Sequence, residues 1–272
     1  MILNNDSKSF AVYLLLAVTL LMSACSDKEL EYTQIETCLN HYQAESYQVA
    51  KKECLIAAEE GSSEAQWLMA NLYRYDLVNE GKDLESAFKW YLRAAENGHV
   101  EAMREVGQSY MYGNGIEKNF KNALVWLKRA AENRDAVAEF SVGVLFFEGW
   151  GRDKDIGSAV SWFKRAAMQE HSMSINNLAW IFATSKTKAY YNPKRAKYWI
   201  EKLDKGSIND SLDDFIFLDT KAAVMAADKK FELAVELQNQ AIAQLPSDTA
   251  EEQLITFQQH LENYLQGKDW RE

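Results

Sequence analysis

The sequence predicts an all-α fold, an α-solenoid of stacked helical hairpins, and three observations lead there. A phrase recurs at a constant step. SAFKWYLRAAENG at 86–98, NALVWLKRAAENR at 122–134 and SAVSWFKRAAMQE at 158–170 place Ala87, Ala123 and Ala159, and likewise Trp90, Trp126 and Trp162, 36 residues apart. A fixed period of that size marks a stack of helical hairpins, each with an apolar face that only its neighbours can bury. A capping residue also stands four positions before each reference alanine: Ser46, Asp83, Asn119, Asp155 and Asn192. Such side chains accept from the free N–H groups of a helix's first turn, and Pro193 after Asn192 occupies the helical position that suits proline. Finally, Pro193 and Pro246 are the only prolines, and no Gly/Ser-rich linker divides the chain.

Taken in order, residues 1–24 read as a signal peptide. Lys8 precedes an apolar run from Phe10 to Met22, the length of a signal-peptide core and too short to span a bilayer comfortably. The run ends in LMSAC, which resembles the lipobox of bacterial lipoproteins. That resemblance implies cleavage before Cys25 and lipidation of Cys25, with an uncleaved membrane anchor as the alternative. Residues 25–33 would then form the lipidated tether. Ser26 after Cys25 points to the periplasmic side of the outer membrane if the source is Gram-negative.

Residues 34–61 form an N-terminal hairpin with a candidate disulfide. Cys38 lies 12 residues before Ala50, at the close-approach position of the first helix, and Cys54 four residues beyond it, at the position of the inward-facing Leu127. In this register the two face each other, and a bridge would close a loop of about 15 residues. Two buried free thiols are the alternative.

Residues 62–98, 99–134 and 135–170 are three repeats of one hairpin. In each second helix the apolar positions recur at helical spacing, as in Ala123, Leu127, Ala130 and Ala131. An amphipathic first helix precedes it and carries a small residue where the two must approach: Ala70, Gly107 and Gly143, with Ala179 following. Together with the loops Gly113-Asn-Gly115 and Gly149-Trp-Gly151, these residues resemble the Sel1-like repeat, a relative of the tetratricopeptide repeat. The first unit has DLVNEG at 76–81 in place of the glycine loop, which leaves that loop's conformation open.

In residues 171–272 the spacing shortens. From small residue to reference alanine is 16 residues between Gly107 and Ala123, but 12 between Ala222 and Ala234. The shorter step resembles a tetratricopeptide repeat, and a helix over 248–266 would cap the array. Lys221 departs from the usual leucine, with Asp219 or solvent to take its charge.

Chemistry is scarce. His41, His99, His171 and His260 show no metal-ligand spacing, and no nucleophile motif or phosphate-cradling loop occurs. No catalytic residue, metal or cofactor is therefore expected, and the net charge of −10 argues against nucleic acid as a partner. In tetratricopeptide-like stacks the free face of the first helices lines a concave groove. The register places Trp67, Arg74, Arg104, Gln108, Met111, Phe140, Val144, Phe147, Asn176 and Trp180 on that face, polar at first and apolar from Val137 onward. Trp90, Trp126 and Trp162 are read as packing residues. Tight curvature or the final helix covering the apolar stretch is the competing account.

The expectation is a lipid-anchored periplasmic scaffold that binds a protein or peptide partner in this groove. A secreted Sel1-like enzyme of penicillin-binding or weak β-lactamase type and a purely structural envelope protein are the alternatives.

Overall fold

The computed structural model describes residues 34–79, 81–205 and 213–272, which are helical with no strand among them. Cys25 and the run from Phe10 to Met22 lie outside the described residues. Helix α1 covers 34–43 and pairs with α2 (Tyr47–Glu59). The following hairpins are α3 (Ser63–Arg74) with α4 (Leu84–Glu96), α5 (Val100–Tyr112) with α6 (Phe120–Glu132), and α7 (Ala136–Glu148) with α8 (Ile156–Met168). Then come α9 (Ser172–Thr184) with α10 (Pro193–Lys205), α11 (Asp214–Ala227) with α12 (Phe231–Ala243), and α13 (Glu251–Leu265). No described helix is long and apolar enough to cross a membrane. The chain forms two compact units, Met1–Trp126 and Leu127–Glu272.

In the first unit Cys38 and Cys54 are joined, with Cα atoms 4.7 Å apart, and both are fully buried beside Ala50, Leu68, Met69 and Val78. The register expected between α1 and α2 is the one found. The second-helix caps form as expected at Asp83, which accepts from Ser86 N, and at Asn119, which accepts from Asn122 N. Ser46 occupies its cap position without a side-chain hydrogen bond, so the disulfide rather than a cap holds the start of this hairpin together.

The loop that lacks the glycine pair is built from polar residues instead. Asp76 and Asn79 take φ values of 51° and 57°, the left-handed region that Gly113 and Gly115 occupy in the next repeat. Asp76 Oδ1 accepts from Gly81 N at 2.8 Å, and Val78 is buried with its carbonyl accepting from Gln48 Nε2 at 2.6 Å. Gly115 shows why glycine is needed in the second loop. A Cβ there would lie 1.9 Å from the Leu84 carbonyl oxygen, so the loop rests directly on the start of α4.

In the second unit, α7 and α8 approach at Gly143. A Cβ on Gly143 would lie 2.6 Å from the ring of Phe163, which is itself fully buried. A buried carboxylate ties the same pair: Glu139 is 2% exposed and meets Arg165 at 2.8 Å and Gln169 Nε2 at 2.9 Å. Arg165 also donates to the Ala131 carbonyl and stacks on Trp162. Arg93 repeats the stacking on Trp90. The landmark tryptophans do pack, but all three are half-buried rather than enclosed in the core, Trp90 and Trp162 under arginines.

Asp155 and Asn192 cap α8 and α10 through Ser158 N and Arg195 N, and Pro193 opens α10 as expected. Helices α11 and α12 are joined by the three residues 228–230, the short connection that the spacing predicted. Asp219 does not take the charge of Lys221. It is buried and receives Gln238 Nε2 and His260 Nδ1, each at 2.8 Å, while Lys221 extends over the Phe217 ring.

After α13 the chain runs back along α9. Glu272 exchanges backbone hydrogen bonds with Thr184 and Lys186, Arg271 donates to the Ser185 carbonyl, and Trp270 lies 4.6 Å from His260. The tail thus fastens the end of α9 to α13.

Replacing Cys38 and Cys54 together with alanine is expected to lower stability by ~3 kcal/mol on the loop-entropy model, with helical circular dichroism retained. Thermal melting checks the first part. Quantitative alkylation of both thiols in unreduced wild-type protein would contradict the bridge.

Candidate partner-binding site

The first-helix face expected to bind a partner divides sharply between the two units. In the first unit its side chains already have partners. Arg74 meets Glu105 at 2.7 Å and Arg104 meets the same carboxylate at 3.7 Å, so these cations do not stand free to orient a ligand. Next to them Tyr91 donates to Asn71 Oδ1 at 2.6 Å. Met111 is 3% exposed and belongs to the core, and Gln108 is half-buried. Trp67 stacks on His99, with centroids 5.3 Å apart and planes inclined by 13°. The register expectation fails at Met111, which is enclosed, and the charge and aromatic surface of Arg74, Arg104 and Trp67 are used within the fold.

His99 accounts for that stacking. It is the N-cap of α5, its Nδ1 accepting from Ala102 N, and its Nε2 lies 3.1 Å from Glu64. His171 is its counterpart at the start of α9, accepting from Ser174 N, and Phe140 stacks on it at 4.8 Å. Phe140 also meets Phe163 at 5.8 Å, so it is a packing residue and not a free anchor. Two histidines that look scattered in the sequence share one role. Ser62, His99, Asp135 and His171 cap successive first helices, a row that their spacing of 36 or 37 could have revealed.

Four expected residues do come together. Val144, Phe147, Asn176 and Trp180 line a cavity of about 320 Å³ within the second unit, with Phe163, Ile181, Ile216, Thr220 and Phe257 completing most of its wall. Helices α7 and α9 supply one side through the three-residue offset between Val144 and Phe147 and the four-residue offset between Asn176 and Trp180, each pair on a shared stripe. The other side comes from α11 and α13. Trp180 is fixed rather than free, because its indole N–H donates to the Glu272 carboxylate and its ring lies 5.4 Å from His260. Asn176 is 3% exposed, yet its amide oxygen has no hydrogen-bond partner among the described residues. A buried polar atom left unpaired costs about 1–3 kcal/mol, and this one belongs to a residue that lines the cavity.

Glu148 stands exposed at the mouth, and a second, more polar hollow opens beside it between Lys154, Thr184 and Glu272. The competing account, in which the final helix covers the apolar stretch, holds in part, since α13 supplies Gln253 and Phe257 to the wall. Its stripe Phe257, His260 and Tyr264, at helical spacing and all buried, was the available signal. Among the described residues no group of His, Cys, Asp or Glu could hold a metal ion.

The sequence pattern of the Sel1 repeat matches residues 63–99, 100–135, 136–171 and 172–203. The fourth match covers α9 and α10, which the sequence reading had placed with the tetratricopeptide-like end. Among solved structures the chain is similar to a Sel1 repeat protein from Oxalobacter formigenes, with a TM-score of 0.62 and 24% identity over 84% of this chain and 98% of that one. It is also similar to c5321, a protective antigen of uropathogenic Escherichia coli with an SLR fold. There the TM-score is 0.64 at 21% identity, over 83% of this chain and 46% of the antigen.

Burial depresses the His171 imidazole below its ordinary value of 6.5, and nearby Asp135 opposes this only partly. A histidine lowered in the folded state binds fewer protons there than in the unfolded chain, so stability falls as pH drops through 6.5 and levels out below the folded value. His171→Asn keeps the cap but removes the titration. Its melting temperature should decline less than that of wild type between about pH 7 and pH 5. Equal slopes would contradict this account of His171.

Proposed function

Because the chain belongs to the Sel1 repeat family, whose helical hairpins form a scaffold for protein–protein contact, we propose that it is a lipid-anchored scaffold of the bacterial envelope. Lipid on Cys25 tethers it to the periplasmic face of a membrane, the outer one in a Gram-negative cell. The second unit then holds a partner polypeptide. The observation that carries the binding half is the cavity under Phe147 and Trp180: apolar, open at one side, and furnished with one unpaired buried amide. Apolar walls with a few placed polar groups are the usual make-up of a recognition site. The anchoring half is supported by LMSAC at 21–25 after an apolar run, and by the bridged Cys38–Cys54, a bond that persists in oxidising compartments.

Metabolic labelling with an alkyne fatty acid tests the anchor, and a photocrosslinking amino acid at the exposed cavity position Gln253 tests the scaffold in the same cells. Wild type should take up label and fractionate with membranes, Cys25→Ala should lose both, and position 253 should give a discrete protein adduct. Equal labelling of wild type and Cys25→Ala would overturn the anchor. Absence of any adduct would overturn the scaffold.

A further inference from the structure

The lining of the second unit's cavity includes two carboxylates, Glu148 and Asp219, and, among the described residues, no cationic side chain. The Asn176 amide oxygen is buried and unpaired, and Glu148 at the mouth forms no hydrogen bond or ion pair among the described residues. Asp219 also reaches the cavity, but His260 and Gln238 already occupy it. Around the adjoining hollow stand Glu148 and Glu272 against a single cation, Lys154, which lies over the Phe147 ring at 4.5 Å. The local charge is therefore complementary to a cation.

The size of the site limits the occupant further. At about 320 Å³ it lies at the low end of the range for ligand pockets, ~300–1,000 Å³, so it admits a side chain or two and not a folded surface. A carboxamide offers both a donor and an acceptor, the same pair that a peptide group offers in reverse. Resting on the scaffold reading above, we propose that this cavity receives an extended, cationic polypeptide segment. Its large apolar side chain enters between Phe147 and Phe257, its main-chain amide pairs with Asn176, and an adjacent Lys or Arg faces Glu148.

The test pans a phage-displayed library of random twelve-residue peptides on the purified full chain. A synthetic peptide of the enriched sequence is then titrated by fluorescence anisotropy against wild type, Asn176→Leu, Glu148→Lys and a control, Glu96→Lys, on exposed α4 surface. The expected consensus is an aromatic residue or leucine beside Lys or Arg. Affinity should fall about tenfold or more for Asn176→Leu and for Glu148→Lys and stay unchanged for Glu96→Lys. Glu148 is exposed, so its variant should melt with wild type and separates binding from folding. No enrichment, an acidic consensus, or equal binding by all variants overturns the proposal. The scaffold reading falls separately, on the absence of an adduct at position 253.

Discussion

A helical hairpin can bury its apolar stripe only if its two helices approach at a residue with almost no side chain. In this chain that constraint is met by Ala70 in the first unit and by Gly143 and Ala179 in the second, all buried. Opposite them the reference alanines, such as Ala87 and Ala159, are nearly or fully enclosed. At Gly143 the approach is close enough that the Phe163 ring fills the space a methyl group would need. Phe163 is also a wall of the cavity. The spacing of α7 and α8 therefore sets one side of the candidate site.

The polar groups divide along the same lines. Where a carboxylate is buried in a hairpin it is fully partnered, as Glu139 is by Arg165 and Gln169. Where the first-helix face of the first unit is charged, Glu105 gathers both arginines. Asn176 breaks this pattern. Its amide oxygen is buried and unpaired among the described residues, as are Gln238 Oε1, His260 Nε2 and the Tyr264 hydroxyl on α12 and α13, while Asn176 is the one of these that lines the cavity.

Much of the fold was legible because repetition supplies several independent readings of one register. The alanine and tryptophan steps, the caps at Asp83, Asn119, Asp155 and Asn192, and the facing of Cys38 with Cys54 all follow from it. The candidate site was half legible. Register alone put Val144, Phe147, Asn176 and Trp180 on one face, but it could not tell a free side chain from one that a neighbour claims. Trp67 and Phe140 were lost to His99 and His171, since stacking on a cap residue depends on a turn that apolar periodicity does not describe. Trp180 was fixed by Glu272, some 92 residues away in sequence. The cover from α13 was legible only as an alternative, and the wall from α11 was not legible, because the non-repeating end of the chain offers no second copy to compare.

The central claim, that close approach at the small residue fixes both the hairpin and the cavity wall, is tested most directly by the melting temperature of Gly143→Ala. Alanine is favoured over glycine inside a helix by about 1 kcal/mol, so where space allows the change would stabilise. Here the added methyl must displace the enclosed Phe163 ring, and overpacking of that kind costs about 1–3 kcal/mol. A lower melting temperature is the result predicted, and a raised one would contradict the account.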